Sequence, residues 1–244
     1  DTHLRFGLQI NGAVTPKALL GTVYTFRTDG SAVWYLINAV LNSEATAYVG
    51  TASEFSGGGG LTGANTGPSG LKTIVANVTF TFASPTLATL VWSPRAGGPP
   101  LTLTLSRYSF STTGLPLTAF APVPGAYNPP RNPNSIGYFI EMQGTATSPY
   151  AYFAASYFDS KGRATWADSN TLIYRMTKPI TRYPAGTGAQ TGWTVTATLD
   201  SYSGGAPIGM AAKTPKVVQG RRRLPSSGRR SRTGLRSVAV ARRR

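Results

Sequence analysis

The chain is expected to be an all-β protein, and three observations carry that reading. Glycine and proline are plentiful, 28 and 18 of 244 residues. The apolar residues come in short β-branched and aromatic runs bounded by Gly, Pro, Asn, Asp or Ser, which is how strands and turns are punctuated. No sustained i, i+3, i+4, i+7 apolar stripe with capping residues runs through the chain, so helices have no local warrant. With 41% apolar and 11% aromatic residues, the composition is that of a folded chain rather than a disordered one.

The elements follow in order. Phe6–Asn11, Leu19–Arg27, Ala32–Leu41 and Thr46–Ser53 read as the first four strands. The glycine-rich stretch Ser56–Gly70 connects them to Ile74–Phe82, Thr86–Trp92 and Leu101–Tyr108. Val78-Thr-Phe-Thr-Phe82 and Leu101-Thr-Leu-Thr-Leu105 alternate by residue type, as strands with one face in a core must. Together these seven make one antiparallel meander, assigned to residues 1–110. Six prolines (116, 122, 124, 129, 130 and 133) then mark residues 111–134 as a linker, because proline cannot donate to a sheet ladder.

After the linker the pattern restarts. A shift of 132 aligns Phe6–Trp34 on Tyr138–Trp166 without a gap, with Gly12/Gly144, Thr15/Thr147, Phe26/Phe158, Gly30/Gly162, Ala32/Ala164 and Trp34/Trp166 identical. Further on, Thr51…Phe55-Ser-Gly-Gly58 matches Thr198…Tyr202-Ser-Gly-Gly205 at a shift of 147. The second copy, residues 135–212, therefore carries an insertion placed within Tyr174–Gly192. The reading is two tandem antiparallel β-meander units, each a small barrel or sandwich.

Within each unit the hairpin is the most informative segment. Gly30 and Gly162 close short polar turns and are expected to take the left-handed conformation of a type I turn with a terminal bulge, which only glycine adopts freely. Phe26/Trp34 and Phe158/Trp166 lie on opposite arms of their hairpins, within reach of a cross-strand aromatic pair. The plain reading of these rings is a hydrophobic staple. The alternative is a sugar-stacking surface of Trp34, Tyr35 and Trp166.

At Phe26-Arg-Thr-Asp-Gly-Ser-Ala-Val-Trp-Tyr35, Tyr157-Phe-Asp-Ser-Lys-Gly-Arg-Ala-Thr-Trp166, Tyr127-Asn-Pro129 and Ser135–Gln143 the chain resembles a recurrent tandem β-repeat of secreted or envelope-associated proteobacterial proteins. The hairpin motif of that repeat runs Phe-x-Tyr-Asp-x-x-Gly-Arg-Pro-x-Trp-Tyr. The resemblance covers most of residues 4–212. It departs in three places: the first copy lacks the leading Trp-Asn-Pro, Ala167 stands where Tyr is usual, and the final strands of the second copy are missing or unrecognisable. It implies an all-β fold and a secreted, periplasmic or cell-surface location, and it assigns no catalytic residue.

The charge is unevenly placed. The formal net charge is +16; residues 213–244 hold twelve Lys/Arg and no acid and so contribute +12, leaving the body at +4. Any polyanion preference therefore belongs to the tail. Arg221, Arg222, Arg223, Arg229, Arg230, Arg232, Arg242, Arg243 and Arg244 are the candidate contacts for nucleic acid, which needs charge density more than sequence. Two other readings of the tail stand beside this one. It is a solvated or membrane-surface appendage without an amphipathic stripe, or Arg221–Thr233 is an out-of-frame segment, with Arg236–Arg242 recovering the closing strand that corresponds to Pro100–Arg107.

Catalysis and cofactors are not expected. There is no cysteine, and the one histidine, His3, cannot by itself build a metal site or order a triad. Asp159 and Asp168 flank the second hairpin without a paired acid/base spacing, and the expected role of Asp159 is to cap its turn. Gly57–Gly60 has neither the Lys-Ser/Thr nor the helix of a phosphate loop. Asn77-Val-Thr79 fits a glycosylation sequon but falls mid-strand. No apolar run approaches the ~20 residues of a membrane helix. Nothing at Asp1 resembles a signal peptide, and a chain starting there is expected to be processed or a piece of a longer one. The functional expectation is a non-catalytic structural or binding protein of the bacterial envelope or secretome, with a protein or carbohydrate partner; the alternative is a capsid-like nucleic-acid-associated β protein.

Overall fold

The computed structural model describes residues 5–11, 17–60, 71–107, 125–127, 137–145, 148–169, 174–175, 198–211 and 213–223. The described residues form an all-β structure without a helix, in two antiparallel sheets, one of them curled into a half-barrel.

The first sheet is a meander in which every strand pairs with its sequence neighbour: β1 (Arg5–Asn11), β2 (Ala18–Phe26), β3 (Ala32–Leu41), β4 (Tyr48–Phe55), β5 (Lys72–Ser84), β6 (Leu87–Pro94) and β7 (Leu101–Ser106). Except between β4 and β5, where residues 56–71 intervene, the connections are six residues or fewer, which favours antiparallel neighbours. Alternation decides which face is buried. In β5, Val78 and Phe80 are buried while Thr81 is exposed, and in β7 the leucines are half-buried while Thr102 and Thr104 are exposed. Leu19, Val23, Ile37, Ala52, Val78, Phe80, Leu90 and Trp92 form the core of this sheet. Gly50 sits where β4 crowds β3; a Cβ there would lie 2.0 Å from the Asn38 carbonyl oxygen.

The second sheet runs β14 (Lys216–Arg223), β13 (Thr198–Ser203), β11 (Ala164–Asp168), β10 (Ser148–Phe158), β9 (Gly137–Thr145), β8 (Gly125–Tyr127), with β12 (Tyr174–Arg175) off this path and paired to β10. β12 takes up β10 at Tyr150 and Ala151, where the pairing with β11, which covers Ala154–Phe158, has stopped. On that side β10 thus has two short partners, where β2 has the single long partner β3.

Two strands lie where the sequence reading placed none. Gly125–Tyr127, inside the expected linker, adds β8 to the edge of β9. Lys216–Arg223, counted with the basic tail in the sequence reading, form β14, antiparallel to β13 from Ser203↔Lys216 to Thr198↔Arg223. Residues Lys216-Val-Val-Gln219 have enough β propensity to extend a sheet edge despite the adjoining arginines. Arg229, Arg230, Arg232, Arg242, Arg243 and Arg244 lie outside the described residues, as do most of 111–134 and all but two residues of the expected insertion.

Candidate functional site

The described side chains converge where the two hairpins meet. Both turns close as their sequences require. In the first, the Arg27 and Gly30 amides donate to the Ser31 and Arg27 carbonyls at 2.8 and 2.9 Å. In the second, Asp159 and Gly162 donate to Arg163 and Asp159 at 2.9 and 3.0 Å. Gly30 and Gly162 have φ of 78° and 72°, the left-handed region that a Cβ would strain.

Asp159 caps its turn, accepting from the Lys161 and Arg163 amides at 2.8 and 2.9 Å and from Arg163 Nε at 3.0 Å. Partial burial works to raise its pKa, but the Arg163 and Lys161 donors outweigh it and hold the carboxyl below its ordinary value. In the first hairpin Arg27 stands at this position. Asp29 caps instead, accepting from the Ser31 hydroxyl and amide, which lower its pKa.

The rings do not pair within their own hairpins. Tyr24 lies opposite Trp34 in register, and Phe26 opposite Ala32. The edge-on contacts run across: Phe26 to Trp166 with centroids 5.7 Å apart, and Trp34 to Phe158 at 5.6 Å. The indole hydrogen bonds cross as well. Trp34 Nε1–H donates to the Tyr157 carbonyl and Trp166 Nε1–H to the Thr25 carbonyl, both at 2.9 Å.

Each of these contacts occurs twice with its roles exchanged. Trp34 and Trp166 are offset by 132 residues, as are Thr25 and Tyr157, and Phe26 and Phe158. The backbone repeats the pattern: the Gly57 amide donates to the Gly162 carbonyl and the Gly204 amide to the Gly30 carbonyl, both at 2.7 Å. Isolated β-bridges join Ser31 to Ser203 and Ser56 to Arg163. A Cβ on Gly58 would fall 2.1 Å from the Phe158 ring, and one on Gly205 would fall 2.2 Å from the Phe26 ring. An interface in which i meets j and j meets i is isologous, the pattern of a twofold dimer, here within one chain.

Two residues break the reciprocity. Arg27 donates to the Ala32 carbonyl at 2.8 Å and to the Ala164 carbonyl at 3.0 Å, so one guanidinium bridges equivalent carbonyls of the two hairpins while pairing with Glu54 at 2.6 Å. Asp168 occupies the position of Leu36 in the other hairpin. It is fully buried and accepts the hydroxyls of Tyr152 at 2.8 Å and Tyr202 at 2.9 Å. Tyr24, also buried, has its phenol pushed up to about 12, mainly by desolvation. The strand alternation that buries Trp166 also buries Asp168 two residues on, which is the signal by which sequence reasoning could have found this carboxylate.

Two of the three rings expected to stack a sugar lie inside the structure. Trp34 is 9% exposed and Trp166 0%, so neither indole presents a face to solvent. Tyr35 is half-buried, 5.7 Å from Trp92. Arg221, Arg222 and Arg223 have their backbone in β14, and the other tail arginines are outside the described residues.

A second feature is a pocket of about 220 Å³ between β7 and the loop after β13, lined by Thr25, Leu101, Leu103, Pro207, Ile208 and Met210. Ile208 packs on the core of the first sheet. The Thr25 hydroxyl, 1% exposed, has no hydrogen-bond partner among the described residues. One orphaned hydroxyl among apolar walls suits a water or a small apolar group; it cannot satisfy a sugar's many hydroxyls.

No three His, Asp or Glu side chains among the described residues are grouped to hold a metal ion, and no described helix is long and apolar enough to cross a membrane. No protein-family description, curated protein or solved structure matches the chain.

Proposed function

We propose that the chain is a non-catalytic structural or binding protein built from two copies of one β unit, working at the bacterial envelope or in the secretome. The observation that supports this reading best is the reciprocal seam. The residues common to the two copies, Phe26/Phe158, Gly30/Gly162 and Trp34/Trp166, are engaged in joining the hairpins. Residues that a catalytic reading would enlist are engaged in holding the structure: Asp159 caps a turn and Asp168 anchors two buried tyrosines. With both indoles inside, a protein partner on the outer sheet faces suits this reading better than a carbohydrate stacked on tryptophan.

The second reading is a nucleic-acid-associated β protein, and the twelve cations without an acid in residues 213–244 favour it. One experiment separates the two: a generic oligonucleotide is titrated against salt with the full chain and with a full-length variant in which Arg229, Arg230, Arg232, Arg242, Arg243 and Arg244 are replaced by serine. The structural reading expects weak binding that the substitutions leave unchanged. Steep salt-dependent binding lost in the variant overturns it in favour of the basic arm. The substitutions spare β14, whereas cutting the chain at residue 212 would remove it.

A further inference from the structure

We propose that the hairpin seam is also a docking surface for a second copy of this chain, with two molecules exchanging halves so that the first half of each packs on the second half of the other. The proposal rests on reading the halves as copies of one unit. Its basis is the exchange of roles across the seam. The first half offers an indole N–H at Trp34, carbonyls at Thr25 and Gly30, an amide at Gly57, the Phe26 ring and the cleft over Gly58. The second half offers the same set at Trp166, Tyr157, Gly162, Gly204, Phe158 and Gly205. No group in that set recognises which molecule its partner belongs to, so an exchanged pair forms every contact of the closed monomer and needs no new one.

What distinguishes self from exchange is effective concentration. The halves are tethered between Arg107 at the end of the first sheet and Gly125 at the start of the second. Covalent linkage keeps each half near its own partner, and for short links the effective concentration is of order millimolar, so the closed monomer dominates in dilute solution and exchange grows toward that range.

Charged side chains that differ between the two hairpins, Arg27 above all, choose the pairing. Arg27 reaches the Ala164 carbonyl from its place between the hairpins, and Arg163 Nη1 lies 3.8 Å from Asp29. Pairing two first halves would set two Arg27 guanidiniums against each other over one pair of equivalent carbonyls. Pairing two second halves would remove the guanidinium and bring Asp159 to both sides. Like charges brought together disfavour both like-with-like pairings, so first-with-second pairing is selected in trans as it is in cis.

The chain has no cysteine, so introduced thiols report without background. Ser31 and Ser203 face each other in an antiparallel bridge flanked by the Gly204 to Gly30 hydrogen bond, the non-hydrogen-bonded position where Cα atoms lie about 4.5 Å apart, within disulfide range. Two full-length chains, Ser31→Cys and Ser203→Cys, are unfolded together, refolded at high concentration and oxidised. The S31C/S203C double variant is refolded dilute. The expected result is a cross-linked monomer from the double variant. The mixed single variants should give the S31C–S203C dimer at roughly tenfold or more over either like-with-like dimer, since about 1.4 kcal/mol of selectivity already gives that ratio.

A cross-linked monomer with no excess of the mixed dimer overturns the exchange and leaves the seam intact. Failure of the double variant to cross-link overturns the seam itself, and the proposal with it. The Ser56/Arg163 bridge provides a second cysteine pair, S56C/R163C, should the first disturb the Asp29 turn.

Discussion

At the scale of single residues, burial and hydrogen bonding at the seam predict how stability responds to pH. Tyr24 and Tyr35 are both pushed up to about 12 from 10.0, chiefly by desolvation. A phenol whose folded pKa is raised adds stability that is whole below the unfolded value and is lost as pH climbs through the folded one. The urea midpoint is therefore expected to fall between pH 10 and 12. Tyr24→Phe should lessen that fall while leaving the pH 7 midpoint little changed, because the Ser156 to Tyr24 contact at 3.4 Å is long. Asp159 works in the opposite sense. Its folded pKa lies below 3.8, so its contribution is whole above the unfolded value and fades as pH falls through the folded one. Asp159→Ala removes a carboxylate that accepts three donors and is expected to cost about 1–3 kcal/mol at neutral pH. The cost should shrink in acid, read by denaturant titration at pH 7 and pH 3. At Gly58 and Gly205 an added Cβ meets a ring at 2.1 and 2.2 Å. Gly58→Ala and Gly205→Ala should each destabilise the whole chain by roughly 1–3 kcal/mol, the range of overpacked cores.

At the scale of elements, the strands were legible where local pattern decides them. Ala32–Leu41 is expected as a strand and is β3; Leu101–Ser106 alternates strictly and is β7. Both glycine turns follow from residue type alone. The partner of each aromatic was not legible. Spacing within a hairpin sets Phe26 near Trp34, yet the indole of Trp34 bonds a carbonyl 123 residues away, and nothing local encodes which hairpin a hairpin docks against. For Asp168 the alternation gives the burial, but its partners Tyr152 and Tyr202 come from other strands and nothing local encodes them. β14 was obscured by its neighbours, since the arginines dominate the composition while Val217 and Val218 carry the strand. Its pairing places it beside β13 as β5 lies beside β4. Arg27 is the element-level link between the hairpins. Arg27→Met keeps the stem and removes the donors to Ala32, Glu54 and Ala164. It is expected to lower stability by about 1–3 kcal/mol, more than Arg163→Met, whose contacts are exposed.

At the scale of the whole molecule, the reciprocal contacts make the two sheets one cooperative body. Each indole hydrogen bond adds about 1 kcal/mol and each edge-on ring pair about 0.5–1.5 kcal/mol. Because every such contact spans the seam, none survives if the halves separate. The buried cluster of Tyr24, Phe26, Trp34, Tyr152, Phe158, Trp166 and Tyr202 draws on both sheets, so neither sheet retains that cluster alone. A chain held this way should unfold in one step whichever half is perturbed. The direct test is equilibrium urea unfolding of the parent chain and of Trp34→Phe and Trp166→Phe, followed by far-ultraviolet circular dichroism and by fluorescence. The account predicts a single transition in all three, coincident by both probes, with both substitutions moving the same midpoint downward. Two resolved transitions, with Trp34→Phe shifting only one and Trp166→Phe only the other, would contradict it.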